Sequence, residues 1–340
     1  MGAVRTDSFD YVLPPSAIAQ AAIEPRHDSR LLITSSLREI PFHGLPTLLD
    51  AGDLLVVNRT RVRAARLIGD REPSGGKTEL LLTKRVDADR WEALVRPAKK
   101  VRAGTLVRCG SITAELMTDP SNSVVTVTLT SETEIEAAIA DAGEIPLPPY
   151  FHGSLASPER YQTMFASAVG SSAAPTAALH FTDRVIADLT AKGVVIAEVE
   201  LQIGLDTFRP MREGTVDDHV IHREKIIVGE ETVDALGTAR GAGRRVLAVG
   251  TTVVRALESA SAGAGRIAPF EGETDLFITP DYRFRVVDAV LTNFHAPRTT
   301  LIVMIAAMLG DRWRTVYEHA LRDGFRFLSF GDAMYIEIAR

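Results

Sequence analysis

The chain has 340 residues, 46% of them hydrophobic and 24% charged, and a formal net charge of −6. That is the composition of a soluble globular protein long enough for two domains. Its one cysteine, Cys109, excludes an internal disulfide framework and any cysteine-rich zinc site. The longest apolar run, "LIVMIAAMLG", is too short to span a bilayer, and "MGAVRTDSFDYVLPP" lacks an apolar signal core, so a cytoplasmic protein is expected.

In chain order, the first clear pattern runs from residue 53 to 129. "DLLVVN", "ARLIG", "TELLLTKR", "RWEALVR", "TLVRC", "SITAEL" and "VVTVTL" are short segments rich in Val, Leu and Thr, separated by turn residues. Many short strands at this spacing predict a small barrel or sandwich. The same region is basic. Arg59 to Arg108 carries fourteen Lys and Arg against six Asp and Glu, a net of +8, which leaves −14 for the rest of the chain. Such asymmetry points to a polyanionic partner, or else to a solvated face with no partner. "SETEIEAAIADAG" then predicts a helix with Ser131 and Glu134 as a capping box, and "IPLPPYFHG" a proline-stiffened boundary.

From about residue 158 the pattern alternates. "PERYQTMFAS" and "TDRVIADLTAKG" predict helices, "VVIAEVELQIG" a strand, "EETVDALGTARGAG" a helix and "RRVLAVG" a strand that leads directly into the helix "TTVVRALESA". "TDLFIT" and "FRVVDAVLTN" predict strands, "TTLIVMIAAMLG" and "RTVYEHALRDG" helices, and "AMYIEI" a last strand. This is an α/β pattern with a mixed sheet. If "DLLVVN" belongs to that sheet, the barrel is an insertion. The expected division is an α/β domain formed by residues 1–60 and 150–340, interrupted by a basic β-barrel domain at 61–149.

Polar residues collect where apolar elements end. "AAPTAALHFT" carries Thr176 and His180, "LQIGLDTFRP" carries Asp206, Thr207, Phe208 and Arg209, and "AVGTTVVRALES" carries Gly250, Thr251 and Thr252 at a strand-to-helix turn. "LTNFHAPRTTL" sets Asn293 and His295 between two apolar runs. Pro297 stops the first, and Thr299 and Thr300 are placed to cap the second. In open α/β sheets ligands bind at such strand ends; the alternative is a turn whose Asn and His satisfy local backbone groups. A helix opening on Gly-Thr-Thr offers N–H groups and hydroxyls to an anion. Arg255 and Glu258, on that helix, form an ion pair or hold a zwitterion. "DDHVIHREK" adds Asp218, His219, His222 and Glu224. The histidine spacing is metal-like, but no third ligand is evident, so proton transfer without a metal is expected. Nucleotide-loop, dinucleotide, serine-hydrolase and zincin signatures are absent from the sequence.

"GDLLVVNRTRVRAARL", "GGKTELLL", "VRPAKKVRAGT", "IPLPPY", "RYQTMFA", "AAPTAALHFT", "GLDTFRP", "HREK", "VGTTVVRALES", "LFITPDYRF", "VVDAVLTNFHAPRTTL" and "SFGDAMYI" occur in this order. Together they closely resemble the S-adenosylmethionine:tRNA ribosyltransferase-isomerase family of queuosine biosynthesis, over nearly the whole chain. The resemblance implies an α/β domain interrupted by a barrel. It implies transfer of a ribosyl unit from S-adenosylmethionine, as cosubstrate and without a metal, to 7-aminomethyl-7-deazaguanine at the tRNA wobble position. The products it implies are epoxyqueuosine, adenine and methionine. That chemistry needs a base for a hydrogen next to the sulfonium, a proton for departing adenine and a neutral attacking amine.

On chemical grounds His180, His295 and Asn293 are expected near the ribose, with Asp218, His222 and Glu224 as second candidates. Thr176, Thr207, Phe208 and Asn58 are expected to line the substrate site. Gly250, Thr251, Thr252 and Arg255 are expected to hold the methionine carboxylate. Arg61, Lys99 and Lys100 are expected to meet the phosphates of a tRNA anticodon stem-loop. A monomer is expected. The chain departs from the family pattern at Arg59, Ala178, Gln202, Asp206, Arg223 and Asp281. Three of these, Ala178, Asp206 and Asp281, stand where the family has glycine, and are expected to narrow or recharge the pocket. The departures leave open a diverged enzyme that uses S-adenosylmethionine on another acceptor, or a non-catalytic relative that binds RNA or nucleoside.

Overall fold

Leu54–Asn58, from "DLLVVN", is buried at all five positions and lies inside a nine-stranded mixed sheet. A strand covered on both faces is apolar throughout rather than alternating. Alternate residues supply two cores: Leu54 and Val56 pack on one side of the sheet, Leu55 and Val57 on the other. Four parallel neighbours form the sheet's centre, in the order Val195–Leu201, Leu54–Asn58, Val246–Val249 and Ala289–Asn293. The helices Glu230–Gly241, Thr251–Ala260, Thr300–Leu309 and Arg312–Arg322 contribute to the first core. The helix Asp183–Ala191 and the short turns Phe42–Leu48 and Thr176–His180 contribute to the second. The computed structural model describes residues 4–153, 155–204, 210–219, 221, 223–261 and 267–338. No helix among them is long and apolar enough to cross a membrane.

The chain divides into two compact units, residues 1–61 with 148–340, and residues 62–147. The second is a closed antiparallel barrel of six strands, in the order Val124–Thr130, Arg90–Arg96, Lys77–Arg85, Arg66–Glu72, Leu106–Cys109 and Ile112–Leu116. Period-two alternation builds it: in Arg90–Arg96 the residues Trp91, Ala93 and Val95 point inward and are fully buried. Gly69 is required by close strand approach, because a Cβ there would lie 2.3 Å from the Arg108 carbonyl oxygen. The basic character expected of this unit holds only locally. Residues 62–147 carry twelve Lys and Arg against thirteen Asp and Glu, a net of −1. The acids past residue 114 cancel the block that precedes them.

Several elements differ from expectation. "PERYQTMFAS" forms only the turn Pro158–Tyr161, because the half-buried Arg26 guanidinium takes the carbonyls of Arg160 and Gln162 that a helix would need. The edge strand is Phe270–Thr274 rather than "TDLFIT". The carbonyls of Thr274 and Leu276 accept from Arg255, and the Thr274 hydroxyl accepts from the Leu276 N–H, which ends the ladder there. Glu134 itself caps the helix Ile135–Ala142, its carboxylate accepting from the Ala137 N–H at 3.0 Å, while Ser131 stays outside the cap. The sequence pattern also missed the hairpin Arg30–Ile33 and Arg38–Pro41 that closes one sheet edge.

Candidate active site

The four parallel strands end together at Leu201, Asn58, Val249 and Asn293, and a cavity opens beside those ends. Thr176, Thr251, Thr252, Asn293 and His295 are among its polar lining groups, and Ile203 and Leu301 among its apolar ones. Gly250 links strand to helix at φ +91°, a conformation that favours glycine, and so points the first turn of Thr251–Ala260 at the cavity. The first N–H groups of a helix lack intrahelical acceptors. The Thr251 hydroxyl has no hydrogen bond among the described residues.

Behind the lining runs a chain of hydrogen bonds. Thr176 Oγ1 donates to Asn293 Oδ1 at 2.9 Å, and Asn293 Nδ2 reaches His180 Nε2 at 3.3 Å. His180 Nδ1 lies 2.7 Å from Ser29 Oγ, and its ring stacks on Phe42 with centroids 4.9 Å apart. An amide nitrogen can only donate, so His180 Nε2 accepts and Nδ1 carries the proton toward Ser29. Burial, with help from the Arg26 and Arg326 guanidiniums, pushes the His180 pKa down to about 3. His180, expected near the ribose, therefore stands one layer behind Asn293 and does not line this cavity.

His295 does line it. Nε2 lies 3.0 Å from Thr292 Oγ1, and Nδ1 has no partner among the described residues. Burial alone pushes its pKa down to about 3 as well. The turn is clamped from behind: Tyr11 Oη donates to the His295 carbonyl at 2.5 Å, and the His295 N–H donates to Tyr317 Oη at 3.0 Å. Tyr11, Tyr317, Phe294 and Phe327 form one aromatic cluster beneath it. Two non-glycine residues near the cavity, Arg298 and Leu328, hold φ of +58° and +69°. Backbone strain of this kind persists only where the surroundings enforce it. Thr299 sits at the N-cap position of Thr300–Leu309, but its hydroxyl donates to the Ala296 carbonyl instead of capping the helix.

A second cavity of about 410 Å³ shares Leu301 with the first. Asp218, His219, Glu224 and Arg255 line it together with Phe277 and Met304. Arg255 was expected to join Gly250, Thr251 and Thr252 around one carboxylate. Each of its guanidinium nitrogens is engaged instead, with Glu224, the Leu276 carbonyl and the Thr274 carbonyl. Glu224 also accepts from the Gly204 N–H at 2.8 Å. Glu258 does not pair with Arg255: its buried carboxylate accepts from the N–H groups of Arg285, Val286 and Val287 and from Tyr282 Oη. Asn58, expected to touch substrate, lines neither cavity. It clamps backbone, accepting from the N–H groups of Thr60 and Leu201 and donating to the Leu201 carbonyl, and reaches Thr252 Oγ1 at 3.4 Å. Asp218 accepts from the Thr215 hydroxyl at 2.6 Å. Arg61 pairs with Glu159, whereas Lys99 and Lys100 lie exposed on the barrel. Thr207, Phe208 and His222 lie outside the described residues, as does Asp206.

The five described departures from the family pattern line neither cavity. Arg59 pairs with Glu200, Arg223 with Asp275 at 3.4 Å, Ala178 packs fully buried in the second core, Gln202 is half-buried and Asp281 is exposed. The expected narrowing or recharging of the pocket is thus absent at these positions. Sequence reading missed Tyr11, Ser29, Thr292 and Tyr317. Only Thr292, next to Asn293, carried a local signal; the others come from distant segments or from inside a helix.

A mixed α/β unit with an inserted closed barrel, and a cavity walled partly by polar groups at the ends of its parallel strands, gives the chain an α/β architecture with a candidate active site. It belongs to the queuosine biosynthesis protein family, which matches residues 6–336. It is 43% identical over 340 residues to the S-adenosylmethionine:tRNA ribosyltransferase-isomerase of Desulfitobacterium hafniense, covering 98% of this chain and 100% of the relative. It is equally identical over 341 residues to the enzyme of that name from Moorella thermoacetica, with the same coverage. The crystal structure of S-adenosylmethionine tRNA ribosyltransferase from Thermotoga maritima matches with 34% identity and a TM-score of 0.55, covering 96% of this chain and 99% of that one. The family resemblance and the expected fold class are both borne out.

Proposed function

We propose that the chain transfers and isomerises the ribosyl unit of S-adenosylmethionine onto 7-aminomethyl-7-deazaguanine at the wobble position of tRNA. Epoxyqueuosine forms, and adenine and methionine leave. The observation that carries this reading is full-length identity of 43% to enzymes named for S-adenosylmethionine and tRNA. The untouched cavity walls weigh against a diverged acceptor, since no described departure reaches them.

The first cavity takes the donor's ribose, with Thr176 and Asn293 as its hydrogen-bonding wall and the Gly250–Thr252 turn as an anion contact. His295 Nδ1 removes the hydrogen at the 5′ carbon. The sulfonium loses its net charge as the imidazole gains one, so the cavity holds a single cation before and after the step. The desolvation that keeps His295 neutral when the cavity is empty therefore opposes this transfer far less than it opposes protonation from solvent. The same proton then serves departing adenine. Asp218 and Glu224 face the second cavity, on the far side of Leu301, which we assign to the remainder of the reacting pair.

The test is incubation with S-adenosylmethionine and tRNA bearing the aminomethyl base. Adenine release together with a mass gain on the tRNA is the expected result. Adenine release with only a small amine as acceptor would establish the diverged reading, and binding without turnover would establish the non-catalytic one.

A further inference from the structure

We infer that the barrel holds tRNA by its phosphates through the crossover between Arg96 and Thr105, and adds affinity without reading bases. This rests on the tRNA reading above and names the surface that serves it. Residues 93–114 contain Arg96, Lys99, Lys100, Arg102 and Arg108 and no Asp or Glu. Six other barrel cations are already paired with acids: Arg63 and Arg85 with Glu136, Arg66 with Glu79 and Glu144, Lys77 with Asp70, Arg90 with Asp87, and Arg108 with Glu72. Arg96, Lys99, Lys100 and Arg102 are exposed and have no acidic partner among the described residues. They concentrate, in seven residues, the positive charge that the barrel as a whole lacks.

The backbone beneath them is already organised. The strand Arg90–Arg96 and the strand Leu106–Cys109 are not neighbours in the barrel, so the segment between them must cross its end. Val101 is 1% exposed and anchors the crossing. Arg71 donates to the Lys100 carbonyl at 2.6 Å and to the Gly76 carbonyl at 3.1 Å, tying the crossover to the adjacent hairpin turn. The Arg102 N–H donates to Thr105 Oγ1 at 3.0 Å, and Asp119, the nearby acid, accepts from the Ala103 N–H at 2.9 Å. Binding therefore orders side chains rather than the loop.

Base reading by stacking is not available here. Trp91 is the single aromatic residue in 62–147, and it is fully buried. Single-strand readers present exposed aromatic faces to bases. A cationic ridge without one contacts the backbone, whose affinity falls with salt.

The test measures binding of the full chain to tRNA with and without the aminomethyl base, across roughly 50–200 mM salt. Replacing Arg96, Lys99, Lys100 and Arg102 together by Ala should make the log–log salt slope shallower by about 3, at about 0.7–0.9 per phosphate contact. K99Q/K100Q, a milder pair, should remove about half of that. Both tRNAs should lose affinity by the same factor, with kcat at saturating tRNA and the affinity for S-adenosylmethionine unchanged. An unchanged slope in either folded variant would overturn the inference, as would a loss confined to the tRNA with the modified base. A wild-type chain that releases adenine only with a small amine and has no salt-dependent tRNA affinity would instead sink the reading beneath it.

Discussion

The two units handle polar groups in opposite ways. In the α/β unit, Thr176, Asn293, His180 and Ser29 lie one behind another, hydrogen-bonded, buried or nearly so, and neutral. In the barrel the interior is apolar, and its charges lie at or near the surface, most of them paired. A proton must be moved between defined atoms in a dry place, where each hydrogen bond has a fixed direction and an unmade one is costly. A polyanion is held by exposed cations that release counterions and ask for little geometry. Chemistry and grip thus rest on different physical terms, and salt and mutation should separate them.

The largest effect expected inside the α/β unit is from His295→Gln, which removes the one unpartnered ring nitrogen on the cavity wall. Adenine release should fall by about 10²–10⁴-fold, with tRNA affinity unchanged. Glu224→Ala should follow, read as stability. It strands the buried Arg255 guanidinium, which typically costs about 3–5 kcal/mol in urea unfolding. Replacing both partners by apolar residues should recover most of that loss. Asn293→Leu leaves Thr176 and His180 without their shared partner, at about 1–3 kcal/mol for each group left unsatisfied. If any of these three changed the salt slope of tRNA binding, the separation of chemistry from grip would fail.

Acid tests the same buried groups. His180 and His295 have folded pKa values of about 3, below the ordinary 6.5. Between those limits the unfolded chain binds protons that the folded chain refuses. Stability is therefore intact above about pH 6.5 and falls as pH drops toward 3. The loss should approach about 1.4 kcal/mol per pH unit for each ring. His180→Gln should remove one share of this slope in urea midpoints taken from about pH 7 to 5.

Much of this was legible in the sequence, for identifiable reasons. Barrel strands announced themselves because period-two alternation around Trp91 survives in the local pattern. The turns at Gly250 and at Asn293–His295 stood out because polar residues interrupt apolar runs at strand ends. What stayed hidden depends on distance. Arg26 denies a helix to residues after Tyr161 from more than 130 positions away, and Tyr11 clamps His295 across 284. The Arg255–Glu224 strut replaced the expected Arg255–Glu258 pair because helical spacing shows neighbours on one helix and not the strand packed against it. Composition misled as well: counting charge to Arg108 made the barrel basic, whereas its later acids bring the whole unit to −1.

The smallest expected effect is the sharpest control. Lys77 is 75% exposed and begins the strand after the turn that Arg71 ties to the crossover, so it shares that end of the barrel with Lys99 and Lys100. It differs in one respect: its ammonium lies 3.0 Å from Asp70. Lys77→Ala should change stability by only about 0–1 kcal/mol, as exposed pairs do. It should shift the tRNA salt slope by less than the roughly 0.9 of one phosphate contact, because a cation already paired with Asp70 neutralises less phosphate charge and so displaces fewer of the counterions condensed on the RNA. Asp70→Asn makes the complementary change. It frees Lys77 without adding a cation, and the slope should steepen toward one further contact. Should Lys77→Ala weaken binding as much as Lys99→Ala, the barrel would be acting through its summed charge, and the distinction between paired and unpaired cations would not hold.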